Sequence, residues 1–481
     1  MNVSYCEIIV FDYNTTVSAK RNFGNNEIFD SPETLVAIEV FDRKLFIGKI
    51  MQKIVQSLMA TAVMIGGGMT ATAQHHREFD VESGLPERVL VLTGDSAKMG
   101  SEMMAILYDT KDLHFQDPGA PRFLFLDREG NTALGIGGYV EGVVSYDFCG
   151  AIDDYGFPTF DIPVPYNPSL RNKFGASANH STIFLQLVRR TRLGLLSAYV
   201  QTNFTGNNGA YGVTVKQAYV KLGYVTAGLT RSTFQDGPSG LPTIEYAGPS
   251  GAISCKNVLL QYAPNLSRHF KVAVSVENPS ASYTTLSGEN EEINQRVPDI
   301  PAYIQYSWGK GGGSHIRLSG IMRNLSYRNL ETGKNHFVTG YGVQLSGLAN
   351  LNNFVTLYYQ GAYGKGIARY VNDLGGEGYD LIYGEGGKMT APGTLSLVGG
   401  AQVNINKNLF VSSGYCLNRV YNQEALGGDA YRRTNYAVVN AFYTFAEDFQ
   451  LGVEYVHGIR RNMNGESNSA NRIEAMMKFS F

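Results

Sequence analysis

The sequence predicts an all-β fold, a transmembrane antiparallel β-barrel of about 16 strands with short periplasmic turns and longer outer loops. Three observations predict it. Apolar and polar residues alternate over stretches of roughly 10–12 residues, which is how a sheet with one greasy and one wet face is written. The connections between those stretches alternate between short and long. The chain also closes on a strand whose Ile473, Ala475, Met477, Phe479 and Phe481 share one face, opposite Arg472, Glu474, Met476, Lys478 and Ser480. Two aromatics at the end of the apolar face suit a membrane interface.

Composition narrows the classes. The chain has 481 residues, 43% hydrophobic and 17% charged, with net charge −2, which excludes a disordered chain and supplies no basic field for nucleic acid. Mean hydropathy is −0.15 and no run approaches the ~18 apolar residues of a spanning helix. The 55 Gly, 30 Tyr and 25 Phe fit strand curvature and aromatic girdles. Cys6, Cys149, Cys255 and Cys416 form no CxxC or Cys/His cluster, so no disulfide framework is expected.

From the N-terminus, residues 51–73 read as a signal peptide placed internally. Lys49 and Lys53 flank the apolar stretch Leu58–Ile65, and Ala71-Thr-Ala73 offers a small-x-small cleavage site. Met51 is then the expected start, and 1–50 a mis-called upstream extension. Residues 74–130 are expected as a periplasmic N-terminal segment, with a short amphipathic helix over 97–108, a turn-rich Asp117–Pro121 and a short strand at 123–127. His75 and His76 lack a third ligand, and no metal or cofactor is expected.

The barrel is expected over 131–481, with strands near 132–147, 180–190, 193–204, 211–222, 224–234, 252–263, 268–277, 299–308, 314–325, 336–348, 353–364, 393–405, 408–420, 434–445, 448–460 and 471–481. An even count with short turns on one side and long loops on the other is what a bacterial barrel requires. In hydrocarbon every backbone N–H and C=O needs a partner within the protein, and a closed sheet provides it without edges. A propeller would show a repeat of roughly 40–50 residues, and none is found.

Several stretches carry a resemblance to a known family. They are Pro121–Tyr139, Lys216-Gln-Ala-Tyr-Val220, Thr226–Asp236, Val276-Glu-Asn-Pro279 and the ending Phe479-Ser-Phe481. Together they resemble the DcaP-like outer-membrane porins over about residues 115–481. The resemblance implies a trimeric channel in the outer membrane of a Gram-negative bacterium, admitting small anionic or polar solutes such as dicarboxylates. The family's N-terminal coiled coil has no evident counterpart, since 74–115 show no sustained heptad.

A diffusion channel has no catalytic residues, and its selectivity lies in the side chains lining its narrow zone. Strand parity assigns Arg190, Lys271, Arg317, Arg323, Arg460, Arg472 and Lys478 to the lumen, with Glu141, Glu277, Asp299, Glu454 and Glu474. Arg231 joins them, although its strand is ambiguous in parity. Glu454 and Arg472 are expected to pair across the last hairpin. Loop 234–252, with Asp236 and Glu245, is the candidate constriction, and loop 364–393 the second candidate. The excess of cations favours a mild anion preference.

The function expected is a porin passing small hydrophilic, anionic solutes, embedded in outer-membrane lipids as a homotrimer, with no nucleic-acid partner. A barrel lipase or protease is the competing class. His180, His269, His315, His336 and His457 are scattered, and none has an evident nucleophile beside it on the same face. A loop-dominated receptor or adhesin is the third class, but the outer loops are of moderate length.

Overall fold

The structure is a computed structural model that describes residues 90–91, 101–127, 129–150, 156–206, 211–309 and 312–481. The extension expected at 1–50 and the leader at 51–73 lie outside the described residues, as does most of 74–100.

Sixteen antiparallel strands form the wall: β1 Thr132–Cys149, β2 Thr182–Thr191, β3 Gly194–Asn203, β4 Thr214–Leu222, β5 Val225–Arg231, β6 Lys256–Tyr262, β7 Phe270–Glu277, β8 Ile300–Trp308, β9 Ser314–Asn329, β10 Lys334–Asn350, β11 Val355–Lys365, β12 Gly393–Asn404, β13 Leu409–Tyr421, β14 Tyr431–Ala446, β15 Phe449–Asn462 and β16 Ser467–Ser480. Each strand pairs with its neighbours in sequence. β16 returns to β1, from Asn471↔Cys149 to Ser480↔Tyr139, which closes the sheet. Closure is what permits these backbones to sit in lipid.

The terminal residue completes the seam. The Phe481 N–H donates to the Gly138 carbonyl at 2.9 Å, and its own carbonyl accepts from the Gly138 N–H at 2.8 Å. Below it, the short strand Phe123–Leu126 pairs with the start of β1, from Phe123↔Ile136 to Leu126↔Ala133.

Alternation sets the two faces. On β10, Phe337, Tyr341, Val343 and Leu345 are 65, 48, 56 and 47% exposed on the outside, while Gln344 and Ser346 are 1 and 0% exposed within. Such a run of exposed apolar residues would be an aggregation surface in water, and it is the lipid-facing surface of a barrel.

The strand ends differ from expectation where chain leaves the wall. β5 stops at Arg231 and β6 begins at Lys256, inside the expected 224–234 and 252–263, because the chain from Ser232 turns inward and Thr233 and Ile253 become buried. β9 runs past 325 and β10 starts before 336, and the outer end of β9 pairs with a further strand, Asn290–Glu292. The loop expected over 148–179 contains another, Arg171–Ser177, paired with the outer half of β1.

Three loops pack inward and fill the outer half of the barrel with side chains. Phe234 and Ile253 of one meet Tyr370 and Val371 of another against Ile321, Val420 and Tyr431 of the wall. Phe157 and Ile162 of the third pack with Leu241 against Tyr436, Val438 and Val456. Glycines in the wall make room for these loops. A Cβ at Gly400 or at Gly414 would collide with the Leu241 side chain.

Candidate functional site

The lumen is organised by the loop 232–255, which crosses from β5 to the β13–β15 side before returning to β6. Its first anchor is Asp236. That carboxylate accepts from Ser346 Oγ at 2.7 Å, lies 2.9 Å from His315 Nε2 and stands 3.5 Å from Arg317. Arg317 also donates to the Gln305 side chain and stacks over the Tyr303 ring at 4.1 Å. The second anchor is Glu454, which accepts the backbone N–H groups of Ile244 and Glu245 at 2.8 and 2.9 Å and the Asn440 amide at 2.8 Å.

The Glu245 carboxylate collects three backbone N–H groups, from Phe157, Ala247 and Gly248. Burial pushes its carboxyl up to about 7, against those hydrogen bonds and with help from the nearby Glu454 charge. Asp373 of the second inward loop accepts from Thr159 Oγ1 at 2.8 Å and from the Phe160 N–H at 3.0 Å, joining two loops.

Two of the expected lumen arginines are fully engaged in holding this architecture. Arg323 donates to Asp299 at 3.0 Å and Asp380 at 2.6 Å, and to the Gly366 and Ser280 carbonyls. Arg472 makes a bidentate pair with Asp147 at 2.7 and 2.9 Å, donates to the Gly156 carbonyl and reaches Glu474 at 3.4 Å. The pairing expected between Glu454 and Arg472 is therefore replaced. The register places Glu454 opposite Glu474, and Arg472 opposite Val456. Arg460 donates to the Phe160 carbonyl and lies over the Phe160 ring at 4.8 Å. Arg190 is exposed near the periplasmic end of β2.

The inner half of the lumen holds a feature that strand parity could not reveal. Residues 101–122, expected below the barrel, pack against inward-facing wall residues instead. The helix Ser101–Leu107 buries Met103, Met104 and Leu107 against Ala133 and Val188. Phe115 meets Phe410 and Phe442 edge-on at 5.8 and 4.9 Å, and Tyr139 Oη donates to the Gln116 carbonyl at 2.9 Å. Pro121 occupies the space that a Cβ at Gly135 would fill. Lys271 Nζ donates to Asp112 at 2.8 Å, and Arg231 pairs with Asp117.

These acids sit beside cations from the β4–β7 side and β9. The enclosing lumen wall disfavours ionised Asp112, but Lys271, Arg317 and Lys221 override it and hold the carboxyl at about 2. Desolvation brings the neighbouring His114 down to about 4, Asp117 opposing it and Arg231, Lys256 and Lys478 adding to it, so the imidazole is neutral at pH 7.

Lys216, Lys221 and Lys256 are lumen cations that the sequence reading missed. For Lys216 the cause is a bulge: the β3–β4 register shifts between Gln201 and Thr202, and strict alternation miscounts beyond it. Its ammonium sits 5.1 Å from the centre of the Tyr246 ring of the crossing loop. The parity break is a local signal that a Lys-Gln-Ala-Tyr stretch does not display.

Comparison with known proteins supplies the family and the barrel fold. The family model described as DcaP outer membrane protein matches residues 129–481. The solved outer membrane channel DcaP of Acinetobacter baumannii is similar in structure at a TM-score of 0.64 and 20% identity, covering 74% of this chain and 99% of that one. An outer-membrane OmpT of Vibrio cholerae gives a TM-score of 0.47 at 10% identity over 74% and 100% of the two chains. An anion-selective porin from Comamonas acidovorans gives 0.46 at 11% over 73% and 100%. No curated protein sequence matches the chain.

Proposed function

This chain belongs to the DcaP outer membrane protein family, and from that premise we propose that it passes small anionic solutes, dicarboxylates among them, as a homotrimer. It is an outer-membrane porin of a Gram-negative bacterium, with the sixteen-stranded channel fold of its relatives. The observation that carries the anion reading is the cationic flank of the inner lumen, where Lys221, Arg231, Lys256 and Lys271 come from four successive strands. Like-signed charges lining a narrow, low-dielectric passage concentrate the opposite ion. The acids Asp236, Asp299, Glu245, Glu454 and Glu474 are held by loop amides or by arginines, as Arg231 and Lys271 are by Asp117 and Asp112, whereas Lys221 and Lys256 make no ion pair among the described residues.

Strand length supports the trimer. β4 to β8 have 9, 7, 7, 8 and 9 residues, against 16 and 17 in β9 and β10. A strand needs roughly 9–11 residues to cross hydrocarbon, so the short flank suits burial against further copies better than contact with lipid.

Reversal potential across a KCl gradient tests the solute class. A potential on the anion-selective side that shrinks in the Lys221→Gln/Lys256→Gln/Lys271→Gln variant is expected. Cation selectivity in the native protein would reject it. Native mass in detergent tests the trimer, and a single-barrel mass would reject that.

A further inference from the structure

Residues 109–122 cross the inner lumen while making no strand, so their position has to be explained by what holds them. They run alongside the crossing loop. The Asp112 carbonyl lies near Gly237, His114 lies against Gly240, and the Gln116 side-chain amide donates to the Thr243 and Glu245 carbonyls at 3.4 and 2.9 Å. Two carboxylates fasten the run to the wall, Asp112 on Lys271 and Asp117 on Arg231. Further along, Arg122 pairs with Asp448 in the periplasmic turn between β14 and β15. Loop and segment thus lie together across the passage, one from the outer half and one from the inner.

The contacts of the two carboxylates are those a dissolved dicarboxylate would make. Lys271 and Arg231 belong to the cationic flank, and Asp112 and Asp117 are five residues apart on a chain with no strand or helix between them. We propose that residues 109–122 are a tethered plug whose Asp112 and Asp117 occupy the channel's own anion-binding cations, and that anionic solutes displace it by competing for Lys271 and Arg231.

This rests on the porin reading above and adds to it a closed state with a defined latch. The two pairs differ in access: Asp112 is 62% exposed and open to competing anions, whereas Asp117 and Arg231 are 7 and 17% exposed, so an incoming anion meets Lys271 first and reaches Arg231 as the segment gives way. Phe115 and Pro121 supply apolar contacts that any departure would have to break. The stretch between the helix Ser101–Leu107 and the hairpin at 123–136 makes no strand pairing, so it can bow away from Lys271 and Arg231 between those two fixed ends without disturbing the wall.

The test compares the full-length native chain with the Asp112→Asn/Asp117→Asn variant in planar bilayers, in KCl alone and with added succinate. Folding of each is checked by heat-modifiable electrophoretic mobility. In KCl the variant is expected to show a mean conductance about fivefold higher, through longer open times. Succinate should raise open time in the native chain and only block current in the variant. Equal conductance and an equal succinate response in two folded proteins would overturn the plug while leaving the porin intact. If neither protein conducts, both readings fall.

Should the variant not fold, the native chain alone decides. Salt screens ion pairs, so conductance divided by bulk conductivity should rise between low and high KCl. A ratio that stays flat or falls, as fixed wall charge alone would give, overturns the plug.

Discussion

The crossing loop at 232–255 and the N-terminal segment at 109–122 span the same lumen, but different chemistry holds each. The loop is anchored by buried partners. Asp236 lies among His315, Arg317 and Ser346, Glu454 accepts two loop N–H groups, and Leu241 fills the hollow left by Gly400 and Gly414. The segment is held by two ion pairs, the Gln116 amide and a few ring contacts; Asp112 is 62% exposed on Lys271, while Asp117 is 7% exposed on Arg231. Buried polar groups are costly to unpair, whereas charges open to water part cheaply. The loop is therefore scaffold throughout, and the segment is loosest where Asp112 meets Lys271.

That contrast can be broken first at its strongest point. Asp236→Ala would leave Arg317 and His315 buried without their carboxylate, and it is expected to lower stability by about 4 kcal/mol. A fall in the detergent unfolding temperature, with erratic current from a freed loop, would show it; an unchanged melt would mean that the loop is not anchored there. Leu241→Ala removes only packing, and it is expected to cost about 3 kcal/mol and to widen the channel. Polymer exclusion sizes the pore, and an unaltered cutoff would place Leu241 outside the narrow zone. Phe115→Ala on the segment should instead leave the melt within about 1 kcal/mol of native while lengthening open times.

Acidity separates the two elements by sign. Asp112 is held below its ordinary 3.8, at about 2, so its contribution is complete above 3.8 and is lost as pH falls through about 2. Glu245 is raised from 4.5 to about 7, so its contribution is complete below 4.5 and is lost as pH rises through about 7. Open time is expected to grow below about pH 3 from release of the segment, and current noise to grow above about pH 7 from loosening of the loop. A monotonic dependence over the whole range would contradict the assignment.

Much of the wall was legible because its physics is local. Lipid outside and water inside require alternation, and alternation can be read without knowing which strand pairs with which. Parity likewise put Arg317, Arg323, Arg472 and Glu454 on the inner face. Their partners were not legible, because Asp147 and Arg472 are separated by 325 positions and only barrel closure brings them together. The segment at 109–122 was hidden for a related reason. Its contacts with Arg231, Lys271, Phe410 and Phe442 leave no periodic trace, and its own Pro, Gly and Asp residues read as a linker. Where local geometry broke, as at the bulge beside Lys216, counting by twos left a lumen cation out.

The central claim is a water-filled passage through a closed sheet, and single-channel recording of the native protein in a planar bilayer tests it most directly. Discrete current steps, carried mainly by chloride under a KCl gradient, are the expected result. Barrels that insert, keep their heat-resistant fold and pass no ions under any applied voltage would contradict it.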